Sequence, residues 1–379
     1  MRKNMKDLDK YRGCLIGGAA GDALGYAVEF MSEKSIFKQY GKTGITDYEL
    51  TNGKALISDD TQMTLFTANG LLVGTTRGKL RGIMAPYPSY IAMSYKDWYR
   101  TQKERYPLDK ETPFACSWLV DIPQLFHRRA PGITCLSAIR AGANGSIKEP
   151  VNNSKGCGGV MRVAPVGLYF EDTGEAGARF DLIGAEAAAI THGHALGYIP
   201  AATLTHIIRQ LAHGDVSVDA AVRSALSATA ELFKEEKELP YYLQLMDKAV
   251  ALVGEDISDL EAIHQLGEGW VADEALAIAV YCALKYPEDI DKALIASVNH
   301  KGDSDSTGAI AGNIVGAHVG LSGIPDKYKT NLELYDIILE IADDLYNDCQ
   351  MSEYSAYTDE AWVSKYVKRT YPNGQKPTP

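Results

Sequence analysis

The stretch GDSDSTGAIAGNIVGAHVG, residues 302–320, decides the fold. Its glycines at 308, 312, 316 and 320 recur every four residues, which puts them on one face of a helix. A second run has the same period: Gly13, Gly17, Gly21 and Gly25 in GCLIGGAAGDALG, residues 13–25. A glycine inside a helix costs about 1 kcal/mol relative to alanine. Two such runs predict a compensating close approach of helices, and tight packing alone would account for them. A more specific consequence is that two meeting glycine faces would bring together the acidic residues that flank them.

Outward from these runs, Ala- and Leu-rich segments with helical spacing predict helices over 11–24, 61–73, 180–191, 198–212, 218–235, 241–253, 272–285, 289–298, 307–321 and 331–347. Alternating strand patterns are scarce and strand–helix alternation is missing, so the expected class is all-α. No linker divides the chain. One domain is expected over 1–379, with its core at about 11–350 and a polar tail ending in Pro372, Pro377 and Pro379. Residues 30–56 and the Tyr-, Trp- and Pro-rich 80–114 read as long irregular connections, the latter as an insertion.

Composition excludes several classes. With 379 residues, 46% hydrophobic and 23% charged, the chain can bury a sizeable core and is not a disordered one. A net charge of −11 argues against nucleic-acid and anionic-lipid partners. The longest apolar run, Ala275–Leu284, is about half the roughly 20 residues a membrane span needs. Met1 to Tyr11 has no apolar core of a secretory signal. The six cysteines lie far apart with no CxxC pair, as expected of reduced thiols in a cytoplasmic protein.

Two acidic clusters stand at predicted helix starts: Ser58-Asp59-Asp60-Thr61 and Asp303-Ser304-Asp305-Ser306-Thr307. Capping explains one Ser, Thr or Asp at each place. Each cluster supplies three or more oxygen-bearing side chains. Four carboxylates that converge must be neutralised, and hard divalent cations such as Mg²⁺, Mn²⁺ or Ca²⁺ do that. The second cluster begins like an EF-hand loop, but Ile314 stands where the bidentate Glu belongs, so that reading is set aside. Glu29 ends an apolar, glycine-rich segment and reads either as a solvated residue or as a carboxylate facing the metal site. Asp22, nearby, reads as a candidate buried structural acid.

The loop Ser154-Lys155-Gly156-Cys157-Gly158-Gly159-Val160-Met161-Arg162 can expose backbone N–H groups to a phosphate, although it is neither a Walker A loop nor a GxGxxG fingerprint. Cys157 as a nucleophile with His192 as its base lacks a second polar orienter and is set aside. Thr191-His192-Gly193-His194 has no third zinc ligand at a fitting spacing. It reads as a helix cap or as a hydrogen-bonding contact to a phosphate or ribose.

In this order, GxxxGDALGxxxEF, SDDT, KGCGGVMR, THGHA and GDSDSTGAIAGNIVGAHVG resemble the ADP-ribosylglycohydrolase superfamily, from about Gly13 to Pro325. The SDDT and GDSDST spellings look most like the arginine-specific branch. The resemblance implies an all-α orthogonal multi-helix fold, a centre of two Mg²⁺ or Mn²⁺ ions, and cleavage of ADP-ribosylated protein at the arginine linkage with release of ADP-ribose. Other linkages within its reach are serine, O-acetyl and nucleobase; a catalytically silent ADP-ribose binder is the further alternative. It implies metal ligation by Ser58, Asp59, Asp60, Asp303, Asp305 and Ser306, with Glu29, Asp60 and Asp303 as catalytic candidates. Ser154, Lys155, Gly156, Cys157, Gly158, Gly159 and Met161 match the diphosphate and ribose loop, His192 a ligand-contacting histidine, and Trp270 the adenosine side. Cys157 departs from the Asn of several relatives. No membrane or nucleic-acid partner is expected, and the chain is expected to be a monomer.

Overall fold

The computed structural model describes residues 6–108, 115–171 and 177–371. The prolines at 372, 377 and 379, at the end of the polar tail, and the start of the chain through residue 5 lie outside them.

The described residues are predominantly helical, with one two-residue hairpin pairing Leu50–Thr51 and Lys54–Ala55. All ten predicted helices are present. The glycine runs form the Leu8–Tyr26 and Ser304–Val319 helices, and these two make the most extensive helix–helix contact among the described residues. They run antiparallel. A Cβ at Gly13 would land on the Gly316 carbonyl oxygen, at Gly17 on that of Gly312, at Gly21 on that of Gly308 and at Gly25 on that of Ser304. Only hydrogen fits at these crossings, so each local propensity penalty is offset by backbone contact along the whole pair. Nearly every residue of both helices is buried, and they form the centre of a hydrophobic cluster reaching from Tyr11 to Tyr366.

Two expectations are corrected. Residues 80–114 are not wholly irregular: Tyr87–Thr101 is a helix that begins at a Pro-containing first turn. Its buried Ile91, Tyr95 and Trp98 share one face and pack on the Asp59–Arg81 helix. Trp98 Nε1 donates to Gln62 Oε1 at 3.0 Å across that contact. Residues 109–114 lie outside the described residues. Residues 30–56 hold the short helix Glu33–Tyr40, capped by Ser32, beside the hairpin. No described helix is long and apolar enough to cross a membrane.

Candidate active site and metal centre

The Leu8–Tyr26 helix acts as the ruler for the site. Asp22, fully buried on it, accepts from the backbone N–H of Ser58 at 2.9 Å and of Thr61 at 3.0 Å, and from the Thr61 hydroxyl. It therefore caps the Asp59–Arg81 helix from outside and sets where Asp59 and Asp60 stand. Ser58 adds the local cap, accepting from Asp60 N at 3.2 Å. Three residues past Asp22, Gly25 closes on Ser304 and brings up the start of the Ser304–Val319 helix with Asp303 and Asp305. The turn after the first helix then places Glu29 over both acidic clusters. Asp303 occupies the N-cap position but makes no cap hydrogen bond with its side chain, which leaves its carboxylate to the cleft.

These elements enclose a cleft of about 670 Å³. Of the predicted residues, Glu29, Asp59, Asp60, Gly156, Cys157, Gly158, Met161, His192, Trp270, Asp303, Asp305 and Ser306 line it. One oxygen each of Glu29, Asp303 and Asp305 lie within 4.8 Å of one another. Burial, and then mutual repulsion, pushes Asp59, Asp60 and Asp305 well above the ordinary carboxylate range and Glu29 up to about 10. Asp22 is pushed up to about 7 by burial and by Asp305, against the hydrogen bonds it receives from Thr61 and Ser58. Glu29 Oε2 and Asp60 Oδ1 are buried with no hydrogen-bond partner among the described residues. Orphaned buried carboxylate oxygens in a crowded all-oxygen set are what a hard divalent cation satisfies, so the residues fit a divalent-cation centre. The calcium-loop reading fails, since the residues after Asp303 are helical.

The glycine loop forms the opposite wall. It is clamped from both sides: His194 N donates to Ser154 O at 3.2 Å, Cys157 N to Trp270 O at 3.2 Å and Ala272 N to Lys155 O at 2.9 Å. The N–H of Gly156 is held by Ser154 Oγ at 3.3 Å. The N–H groups of Gly156 and Cys157, and farther on those of Val160 and Met161, which donate to Cys157 O at 2.9 and 3.2 Å, are therefore engaged within the protein, which narrows the expected phosphate cradle. Gly158 is required by packing, because a Cβ there would stand 2.8 Å from Cys135 Sγ and 3.1 Å from His192 Cε1.

Four predicted residues do not line the cleft. Ser58 is fully buried as a cap. Ser154 props the loop, Gly159 packs beneath it against Ala188 and Gly197, and Lys155 points to the buried Asp273 at 3.8 Å. The Cys157–His192 nucleophile pair is also excluded. The Cys157 thiol donates to Asp303 Oδ2 at 2.6 Å, and burial with that carboxylate pushes it well above its usual range. His192 Nδ1 is taken by Thr191 Oγ1 at 2.8 Å, and burial with the Arg162 cation pushes the imidazole down to about 3. His194 caps the Ala195–His213 helix instead of facing the cleft.

Sequence reasoning missed the segment 128–134. Arg128, Ala130, Pro131, Gly132, Ile133 and Thr134 form one rim of the cleft. It is anchored by the buried ion pair of Arg129 with Glu333 and by Gly132 N donating to Asp59 Oδ2 at 3.3 Å. The Pro131-Gly132 break was its one visible signal. Phe30, quoted only within a motif, stacks on Trp270 with centroids 5.9 Å apart at the mouth.

The ADP-ribosylglycohydrolase family model matches residues 3–355. The chain is 24% identical over 377 residues to the ADP-ribosylhydrolase ARH3 of Mus musculus, covering 92% of this chain and 94% of the mouse protein. It is 24% identical over 332 residues to the ADP-ribosyl-[dinitrogen reductase] glycohydrolase of Rhodospirillum rubrum, covering 86% and 91%. A solved ADP-ribosylglycohydrolase-related protein complex shares the fold at TM-score 0.55 and 22% identity, over 90% of this chain and 98% of that one. The glycine-locked helix pair, the two converging acidic clusters and a match over nearly the whole length lead to one conclusion: this chain belongs to the ADP-ribosylglycohydrolase family.

Proposed function

We propose that this protein is a hydrolase, dependent on two Mg²⁺ or Mn²⁺ ions, that cleaves the glycosidic bond of ADP-ribosylated protein and releases ADP-ribose. The observation that carries the reading is the convergence of Asp59 and Asp60 with Asp303, Asp305 and Glu29 in one cleft. Asp59, Asp60, Asp303, Asp305 and Ser306 would hold the ions. Bound there, the ions supply orientation of ribose hydroxyls and a water of lowered pKa. Ser58 acts behind them as the cap. The Gly158 N–H and the His192 ring edge offer donors to the diphosphate or distal ribose. Trp270, stacked on Phe30, offers a flat apolar edge to the nucleoside. Glu29, with its orphaned Oε2, is the group placed to move a proton at the scissile bond.

The relatives' names support an ADP-ribosyl substrate, and the motif spelling supports the arginine linkage. A second reading rests on Arg128, an exposed cation on the rim, which repels a guanidinium leaving group and favours a neutral serine or O-acetyl linkage. The six unpaired cysteines support a reducing, cytoplasmic setting.

The test is a panel of arginine-, serine- and O-acetyl-linked ADP-ribose with Mg²⁺ or Mn²⁺, with and without chelator. Metal-dependent release from the arginine conjugate alone supports the first reading, and from the neutral conjugates alone the second. No release from any conjugate at saturating metal removes the hydrolase reading, and tight ADP-ribose binding without turnover replaces it with a binding protein. Metal is also expected to raise the melting temperature of chelator-treated protein by a few degrees. At 100 times Kd, binding to the native state alone contributes about 2.7 kcal/mol. A melting curve indifferent to millimolar Mg²⁺ and Mn²⁺ would count against the centre.

A further inference from the structure

Arg162 is fully buried, yet its recorded side-chain partners among the described residues include no carboxylate. An unpaired buried guanidinium is costly. Its surroundings replace a counter-ion piecemeal. The Tyr95 ring lies 4.3 Å below it, Nη1 contacts Cys135 Sγ at 3.4 Å and Met63 Sδ at 3.5 Å, and Nη2 donates to Ala187 O at 3.1 Å. The shortest contact points toward the cleft: Nη2 donates to Thr191 Oγ1 at 2.7 Å, and Thr191 Oγ1 lies 2.8 Å from His192 Nδ1.

We propose that Arg162 and Thr191 form a positioning relay that locks the cleft histidine, His192, in its Nε2–H tautomer. A guanidinium can only donate, so it occupies a lone pair of Thr191 Oγ1. The threonine hydroxyl then has one proton to give. Its alternative acceptors do not compete with Nδ1 at 2.8 Å: Ala188 O is 3.5 Å away and the Cys135 sulfur accepts only weakly. Nδ1 is therefore the acceptor, and a neutral imidazole keeps its proton on Nε2. That atom lies beside the glycine loop, where a Cβ at Gly156 would stand 3.3 Å from it and one at Gly158 3.4 Å. The relay thus presents a fixed, uncharged donor to a phosphate or ribose oxygen. The ligand part of this inference rests on the ADP-ribosyl reading of the cleft; the tautomer part does not.

The experiment is long-range proton–nitrogen NMR of the histidine rings in the parent, Thr191→Val and Thr191→Ser, alongside calorimetric binding of ADP-ribose. In the parent, His192 is expected to show a protonated Nε2 and an unprotonated Nδ1. Thr191→Val, nearly isosteric but without the hydroxyl, is expected to mix the tautomers and weaken ADP-ribose binding about tenfold, the scale of one misplaced hydrogen bond. Thr191→Ser is expected to restore both. A parent ring protonated on Nδ1 overturns the relay. So does a Thr191→Val protein whose tautomer and affinity match the parent. Should the valine variant fail to fold, the parent spectrum still decides the tautomer and with it the relay. A parent that binds no ADP-ribose sinks the ADP-ribosyl reading, while the tautomer spectra still decide the relay.

Discussion

Asp59→Asn and Asp303→Asn are each expected to lower kcat for ADP-ribose release by at least about 10³-fold, close to 4 kcal/mol of barrier, with the far-UV helix signal unchanged. Each replaces a charged oxygen donor in a set whose whole electrostatic purpose is to hold cations. Because these carboxylates are buried and crowd one another, losing one charge relieves repulsion in the metal-free protein. The metal-free variants are therefore expected to melt no lower than the metal-free parent, while the stabilisation by Mg²⁺ or Mn²⁺ shrinks or disappears. That pairing separates a ligand from a structural acid. Retained turnover in both variants would take the two clusters out of the chemistry, and a collapse of the helix signal would reassign these acids to folding.

Gly312→Ala is expected to destabilise the fold by about 2–3 kcal/mol, and Gly312→Val by more, in chemical denaturation. Propensity predicts the opposite sign, since alanine in an open helix gains about 1 kcal/mol over glycine. Overpacking decides the outcome. A Cβ at Gly312 lands on the Gly17 carbonyl oxygen, which is backbone and cannot move without parting the two helices. Against a total stability of about 5–15 kcal/mol the loss is large. Activity should fall with it, because the far end of the same helix carries Asp305 and stands on Gly21 and Gly25. Gly78→Ala is the control. Its added Cβ would meet only the flexible Met84 side chain, at 3.1 Å, so no destabilisation is expected there and propensity can act unopposed. A Gly312→Ala protein more stable than its parent would refute the glycine-locked pair.

How far the site was legible follows from which residues carry local signals. The acidic clusters were visible because three or more oxygen side chains at one helix start exceed what capping needs. Cys157 and His192 were visible as types but not as roles. The thiol is engaged by Asp303, which is 146 positions away, and the imidazole is held by Thr191 and kept neutral by burial and by the Arg162 cation on another segment. Lys155 sat in the right loop, and its backbone does hold that loop to Ala272, but its side chain leaves toward Asp273. The helix Tyr87–Thr101 was hidden by Pro88 and a concentration of aromatics that reads as loop. Its Ile91–Tyr95–Trp98 spacing is helical, but that face has meaning only once the Asp59–Arg81 helix is beside it.

The sequence by itself determined the helical class, the two period-four glycine faces and the two oxygen-rich helix starts, because periodicity and capping chemistry act within a few residues of chain. Tertiary structure alone decided that the glycine faces mesh with each other, that Asp22 caps a helix not its own, and that segment 128–134 forms the rim beside Glu29 and the metal-side acids. Those outcomes depend on backbone contacts between residues tens to hundreds of positions apart, and no local pattern encodes which distant partner a small or charged residue will meet.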